Sequence, residues 1–259
     1  EMCIRDRLCS DGTVTYFHAR DSGFRPSLPY LPSGCKHTHV ACGGAHTVLI
    51  RDDGAAVAFG LNDRGQCTIG DPGYEEGVRY VAAACGDSVS FLLRSDGIVS
   101  VAGSTWRGED TITSPVGFTA VAAGLHHVVL LRRGGMVETY DPCVGDYWGV
   151  VGGKGPPGGI NGVVEIPGMP DGVTIIAIAA DLQHSVFLRS DGHAFAFGTG
   201  TRVPELPNGM RYVNPRVYVT AWARRRNAFL IMLKSESHMP LALFFRENQE
   251  IFRNTVAFL

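Results

Sequence analysis

Short apolar runs recur along the chain, each closed by polar residues and a glycine. Val48–Leu49–Ile50 precedes Arg51-Asp52-Asp53-Gly54, and Val186–Phe187–Leu188 precedes Arg189-Ser190-Asp191-Gly192. Runs this short, rich in β-branched and aromatic residues, predict strands buried on both faces rather than helices. Past the glycine the pattern becomes an alternation. Ala56, Ala58 and Gly60 alternate with Val57 and Phe59, and Phe195 and Phe197 repeat it, which predicts a second strand with two unlike faces. Between the two strands, Asp53-Gly54, Asp96-Gly97 and Asp191-Gly192 supply the positive φ of a tight hairpin turn.

The pattern is a repeat. His46–Gly60 (HTVLIRDDGAAVAFG) and His184–Gly198 (HSVFLRSDGHAFAFG) agree at more than half of their positions. Arg94–Gly103 (RSDGIVSVAG) and His127–Gly135 (HVVLLRRGG) are weaker copies, and Leu8–Phe17 (LCSDGTVTYF) is a remnant without its first half. The turn glycines Gly12, Gly54, Gly97, Gly135 and Gly192 lie about forty residues apart, except the last, which an insertion near 140–174 displaces. Upstream of each full copy lies a small-residue segment: Val40–His46 (VACGGAH), Val81–Asp87 (VAAACGD), Val121–His127 (VAAGLHH) and Ile178–His184 (IAADLQH). Ala and Gly there let backbones approach closely. One hairpin of this kind cannot bury its apolar surface alone, whereas stacked copies can. The prediction is all-β: a β-propeller of short three- to four-stranded blades over residues 1–215, about five units with the first one partial, so that a full ring needs degenerate blades or the chain is a fragment. Its 33 glycines suit many tight turns.

Val40–Gly70 (VACGGAHTVLIRDDGAAVAFGLNDRGQCTIG) carries further detail. It resembles the repeat of the regulator of chromosome condensation family: a V-A-C-G opening at Val40 to Gly43, a G-x-x-H-[ST] turn at Gly44 to Thr47, the Asp53-Gly54 hairpin, Phe59-Gly60 at a strand end, and an N-x-x-G-Q loop at Asn62 to Gln66. That loop occurs once, Val89 replaces the turn histidine in the next copy, and Arg133-Gly134 replaces Ser-Asp in the fourth. The resemblance implies a propeller fold that in its family is seven-bladed. It also implies a non-enzymatic protein–protein interaction scaffold, a module of a larger ubiquitin-ligase-like protein. The family supplies two alternatives: a guanine-nucleotide exchange factor for a small GTPase, and an inhibitor-type binder of a β-lactamase or protease. Fold alone does not carry function between them.

Charge and cysteine usage narrow the partners. A formal net charge of −2 gives no global field to recruit nucleic acid or acidic lipid, and no apolar run approaches the roughly 18–20 residues that span a bilayer. The N-terminus lacks a secretory signal and an initiator Met, so the chain is expected to begin inside a longer protein. Seven cysteines without scaffold spacing indicate a reducing compartment, cytoplasmic or nuclear.

Candidate chemistry is sparse. Cys35, His37, His39 and Cys42 are zinc-ligand types. Strand alternation, however, puts Cys35, His37 and His39 on one face and Cys42 on the other, so no metal is expected. His46, His127 and His184 recur with the repeat, which favours a structural group satisfying turn amides or carbonyls within the blade over a catalytic one. Gly149–Gly159 (GVVGGKGPPGG) lacks the spacing of a phosphate-binding loop. No catalytic residue and no cofactor is expected. The partner-binding candidates are Asn62, Asp63, Arg64 and Gln66 in the N-x-x-G-Q loop, Trp106 and Arg107 in the equivalent loop of the next unit, and Tyr140, Tyr147 and Trp148 in the insertion. Beyond residue 215 the glycines stop, and residues 216–259 are predicted as a helical appendage with helices over Thr220–Leu233 and Gln249–Leu259. A degraded blade, LALFF–REN–QEIFR, is the alternative. Arg224-Arg225-Arg226 lies between apolar residues there, suited to a solvated helix face or an acidic partner.

Overall fold

The computed structural model describes residues 4–18, 29–72, 77–104, 110–125, 127–140, 162–163, 169–181, 184–197, 210–214 and 232–235. All regular structure among them is β. Blade 1 pairs β1 (Ile4–Leu8) with β2 (Val14–His18). Blade 2 holds β3 (His37–Cys42), β4 (His46–Arg51) and β5 (Ala56–Gly60). Blade 3 holds β6 (Tyr80–Cys85), β7 (Val89–Arg94), β8 (Val99–Gly103) and a short β9 (Thr111–Ile112). Blade 4 has β10 (Phe118–Ala123), β11 (Val128–Arg132), β12 (Val137–Tyr140) and β13 (Gly162–Val163). Blade 5 has β14 (Ile175–Asp181), β15 (His184–Arg189) and β16 (Ala194–Phe197). Blade 6 pairs β17 (Met210–Asn214) with β18 (Met232–Ser235). Strands pair antiparallel in chain order within every sheet. The chain is an all-β propeller of short blades, three- or four-stranded in blades 2 to 5.

The apolar triplets form the middle strands, and their two faces serve different neighbours. In blade 3, Phe91 and Leu93 pack with Phe118, Val128 and Leu130 of blade 4, while Leu92 packs with Val48 and Ile50 of blade 2. In blade 4, Val129 and Leu131 turn the other way, onto Ile175 and Phe187 of blade 5. Each core cluster therefore straddles two blades. This is the physical reason for the unbroken apolar run: a strand clamped between two sheets has no polar face. The small residues upstream of each triplet form the first strands, and β3, β6, β10 and β14 lie one against the next.

In each of blades 2 to 6 the first strand carries one bulge. Pairing with the middle strand slips between His37 and His39, Tyr80 and Ala82, Phe118 and Ala120, Ile175 and Ala177, and Tyr212 and Asn214. The skipped residue is β-branched each time, and Thr38, Val81, Thr119 and Ile176 are exposed. In blades 2 to 5 the residue before it is buried, and in blades 3 to 5 Tyr80, Phe118 and Ile175 plug the seam behind them. A bulge re-aims side chains in this way. It also overturns the alternation argument for the Cys35–Cys42 segment, because His37 is buried while His39, two residues on, is exposed.

The hairpin glycines have a second task besides their φ of 82–86°. The carbonyls of Gly12, Gly54 and Gly97 accept from the amides of His37, Tyr80 and Phe118, the first residues of the following blade, at 3.3, 2.9 and 2.8 Å. The equivalent bond from Ile175 to Gly135 is 3.4 Å.

Two elements differ from expectation. A sixth sheet joins the five units read from the repeat. Met232 and Leu233, the end of the helix expected over Thr220–Leu233, lie in β18, paired with β17. The other residues of that helix, the Gln249–Leu259 helix and most of the insertion lie outside the described residues.

Candidate functional site

His46 opens β4 at the seam between blades 2 and 3. It is 0 % exposed, and its Nε2 lies 2.8 Å from Ser90 Oγ on β7 of the next blade. The Ser90 hydroxyl donates to the Gln66 carbonyl at 2.8 Å. A hydroxyl has one proton, so His46 is the donor in the first bond and its proton sits on Nε2. Nδ1 is buried with no hydrogen-bond partner, close to Gly43, where an added Cβ would lie 2.6 Å from it. Burial lowers the pKa of His46 to about 4, against a smaller opposing pull from Asp87. The imidazole is neutral near pH 7 and walled off from solvent, so it serves the fold.

The same geometry recurs two seams on, where His127 Nε2 lies 2.8 Å from Ser185 Oγ. Between these seams, blade 3 has Val89 in place of the histidine and blade 4 has Val128 in place of the serine, both in one apolar cluster. The first position of one middle strand thus reads the second position of the next: His with Ser, Val with Val, His with Ser. The sequence placed the imidazole on the turn backbone of its own blade. It reaches across the seam because the neighbouring strand presents a buried hydroxyl oxygen that can accept from it. The side chain of His184, which opens β15, lies outside the described residues.

The N-x-x-G-Q loop leaves β5 at the end of the blade away from the Asp-Gly hairpin. Gln66 is fully buried, its Oε1 accepting from the Arg64 amide at 2.9 Å and its Nε2 donating to Asp63 Oδ1 at 3.2 Å. It is an anchor, and the structure removes it from the set of accessible contact residues. Asn62 braces the far side, its Oδ1 accepting from the Cys67 amide at 2.8 Å and its Nδ2 donating to Thr68 Oγ1 at 3.3 Å. The loop so held exposes Leu61, Asn62, Asp63 and Arg64. Leu61, absent from the sequence-derived set, is a large apolar side chain 48 % exposed, and its place beside the polar loop was the available signal.

Tyr140 belongs to β12 rather than to the insertion. It is half-buried, and its hydroxyl donates to Glu138 Oε2 at 2.6 Å. Trp106, Arg107, Tyr147, Trp148 and the 149–159 stretch lie outside the described residues. Cys42 Sγ accepts from the Asp6 amide at 3.3 Å and the Cys85 thiol points at the Ala41 carbonyl at 3.5 Å. Burial pushes both thiols up, away from the thiolate that nucleophilic or metal chemistry needs. Among the described residues no three His, Cys, Asp or Glu side chains gather as a metal site.

A polar brace of the hairpins was not foreseen. Arg51, Arg94 and Arg189 each pair with the aspartate two residues on, and Asp53, Asp96 and Asp191 accept from the amides of Ala55, Ile98 and His193 at 3.0–3.1 Å. In blade 4, where Gly134 stands in for the aspartate, Arg132 pairs instead with buried Glu138.

Residues 38–66 match the Regulator of chromosome condensation (RCC1) repeat. No curated protein matches the chain. Among solved structures, human WBSCR16 overlays with a TM-score of 0.55 at 20 % identity, over 70 % of this chain and 52 % of that one. The ectodomain of the Physcomitrella patens receptor kinase CR4 gives 0.56 at 14 % identity, over 93 % and 66 %. Both are similar in fold, and this chain spans about half the length of WBSCR16. Yeast RCC1 (Prp20), solved bound to Kap60, overlays at 0.40 with 19 % identity over 69 % of this chain and 60 % of that one, too loosely to add to the fold.

Proposed function

We propose that this RCC1-repeat β-propeller is a non-enzymatic protein-interaction scaffold whose contact surface includes the loop Leu61–Arg64. The observation that supports it most is the anchoring of that loop. Buried Gln66 and the Asn62 brace hold one apolar, one amide, one acidic and one basic side chain in the open on a fixed backbone. A surface ordered before binding loses little conformational entropy on contact. The repeated histidines point the same way, since His46 and His127 are spent on seams and offer no base to a substrate.

A photo-crosslinking residue at position 64, compared with one at position 53 on the opposite end of the blade, tests the reading. Saturable protein adducts at 64, competed by unlabelled protein and abolished by Asp63→Arg with Leu61→Asp, are expected. Their absence at 64, or equal labelling at 53, contradicts it. The second reading, guanine-nucleotide exchange on a small GTPase, draws on the repeat family matched at residues 38–66. Accelerated release of labelled nucleotide from any of a panel of small GTPases would replace the passive scaffold with it. A place inside a larger ubiquitin-ligase-like protein is compatible with either.

A further inference from the structure

The exposed loop and the buried histidine belong to one hydrogen-bonded chain. His46 donates to Ser90, Ser90 to the Gln66 carbonyl, and the Gln66 side chain holds the Arg64 amide and the Asp63 carboxylate. His46, Ser90 and Gln66 are all fully buried. The chain crosses the seam between blades 2 and 3 and ends on the surface.

A second proton on His46 has no place in the closed seam. It would sit on Nδ1, which is buried beside Gly43 without a hydrogen bond; the Gly86 carbonyl lies near the same point but does not bond it in the closed seam. The groups that face the ring are of little help. From blade 3 come the Asp87 carboxylate, lying over Gly44 on an exposed residue, and the Cys85 thiol, 4.0 Å from Ser90 Oγ and neutral. A buried cation without a hydrogen-bonded counter-charge is expelled to water. The adjoining seam between blades 3 and 4 carries Val89 against Val128 at the same position and has nothing to protonate there.

We propose that the seam between blades 2 and 3 is an acid-released latch: protonating His46 parts Ser90 from the loop anchor and frees residues 61–68, while the seam between blades 3 and 4 stays shut. Its bearing on partner binding rests on the contact role given above to Leu61–Arg64; the latch itself does not. The sign follows from linkage. With His46 at about 4 when closed and about 6.5 when opened to water, closure is fully stabilised above 6.5 and weakens as pH falls toward 4. Between pH 7.5 and pH 5 the open population rises about thirty-fold.

Hydrogen exchange on the intact chain, with each rate normalised to its intrinsic value at that pH, reads the latch without a partner. The amides of Arg64 and Cys67, bonded to the Gln66 and Asn62 side chains, are expected to lose about thirty-fold in protection between pH 7.5 and pH 5. The Phe118 amide, bonded to Gly97 across the next seam, is expected to hold. His46→Gln keeps a donor toward Ser90 but does not titrate, and should flatten the response. Should that variant fail to fold, His46→Val with Ser90→Val, a copy of the Val89–Val128 seam, takes its place. Wild-type protection that is flat, or that falls equally in the variant, overturns the proposal. So does an NMR titration placing His46 near 6.5 while the loop stays protected. If protection falls as expected but position 64 gives no crosslink at either pH, the contact role of the loop fails and the latch stands.

Discussion

Gly97 holds φ at +86°, and a Cβ there would lie 2.9 Å from Gly117 Cα in the following blade. Gly34 has nearly the same φ, +85°, with nothing within 4 Å. The pair separates the two demands on a turn glycine. Gly34→Ala should cost only the left-handed conformation, about 1 kcal/mol, while Gly97→Ala adds a backbone collision at a seam and should cost more than about 2 kcal/mol. Urea unfolding of the two variants checks the difference. Ser90→Ala strands the His46 donor and the Gln66 carbonyl together, and should cost about 2–3 kcal/mol; adding His46→Val to Ser90→Val should lose less than the sum of the single changes. Several of these residues were legible beforehand. Asp-Gly announces its turn because only glycine takes that φ cheaply. The fate of Gln66 was not legible, because a glutamine is read as surface unless its partner is known, and Ser90 lies 24 residues away in another blade.

At the level of strands and hairpins, the triplets and the alternation that follows them gave β4, β7, β11 and β15 directly. Alternation failed at the bulges, since a slipped residue depends on how two strands meet and leaves no mark in either one alone. The sixth blade had a signal that went unread. Gly77-Val78-Arg79-Tyr80-Val81 leads into β6, and Gly209-Met210-Arg211-Tyr212-Val213 leads into β17; Leu93-Arg94-Ser95-Asp96 closes β7, and Leu233-Lys234-Ser235-Glu236 follows the same pattern at β18. The apolar helix-like spacing around them masked it, and local periodicity yields where strand pairing buries more. Blade 4 shows one element compensating for another. Its turn lost the aspartate, and Glu138 on the return strand took over the arginine. Removing that buried carboxylate by Glu138→Ala should destabilise by about 3 kcal/mol, because Arg132 and the Tyr140 hydroxyl both lose their partner. Thermal unfolding reads this, and a loss under about 1 kcal/mol would show that the pair is solvated.

At the scale of the whole molecule, each core cluster among the described residues is shared by two blades. Stability is therefore a property of seams, summed along the array as in other repeat proteins, and the repetition that first drew notice in the sequence is the consequence. A unit that must present one face backward and another forward can be copied without redesign, whereas the N-x-x-G-Q loop at Asn62–Gln66 occurs once. Phe118 tests this most directly. It opens β10 of blade 4, is 3 % exposed, and packs onto Phe91, Leu93 and Val99 of blade 3. Truncation to alanine should cost about 3–5 kcal/mol. Seam-based stability predicts that hydrogen-exchange protection falls together in β7 of blade 3 and β11 of blade 4. Loss confined to blade 4, with β7 protected as before, would contradict it.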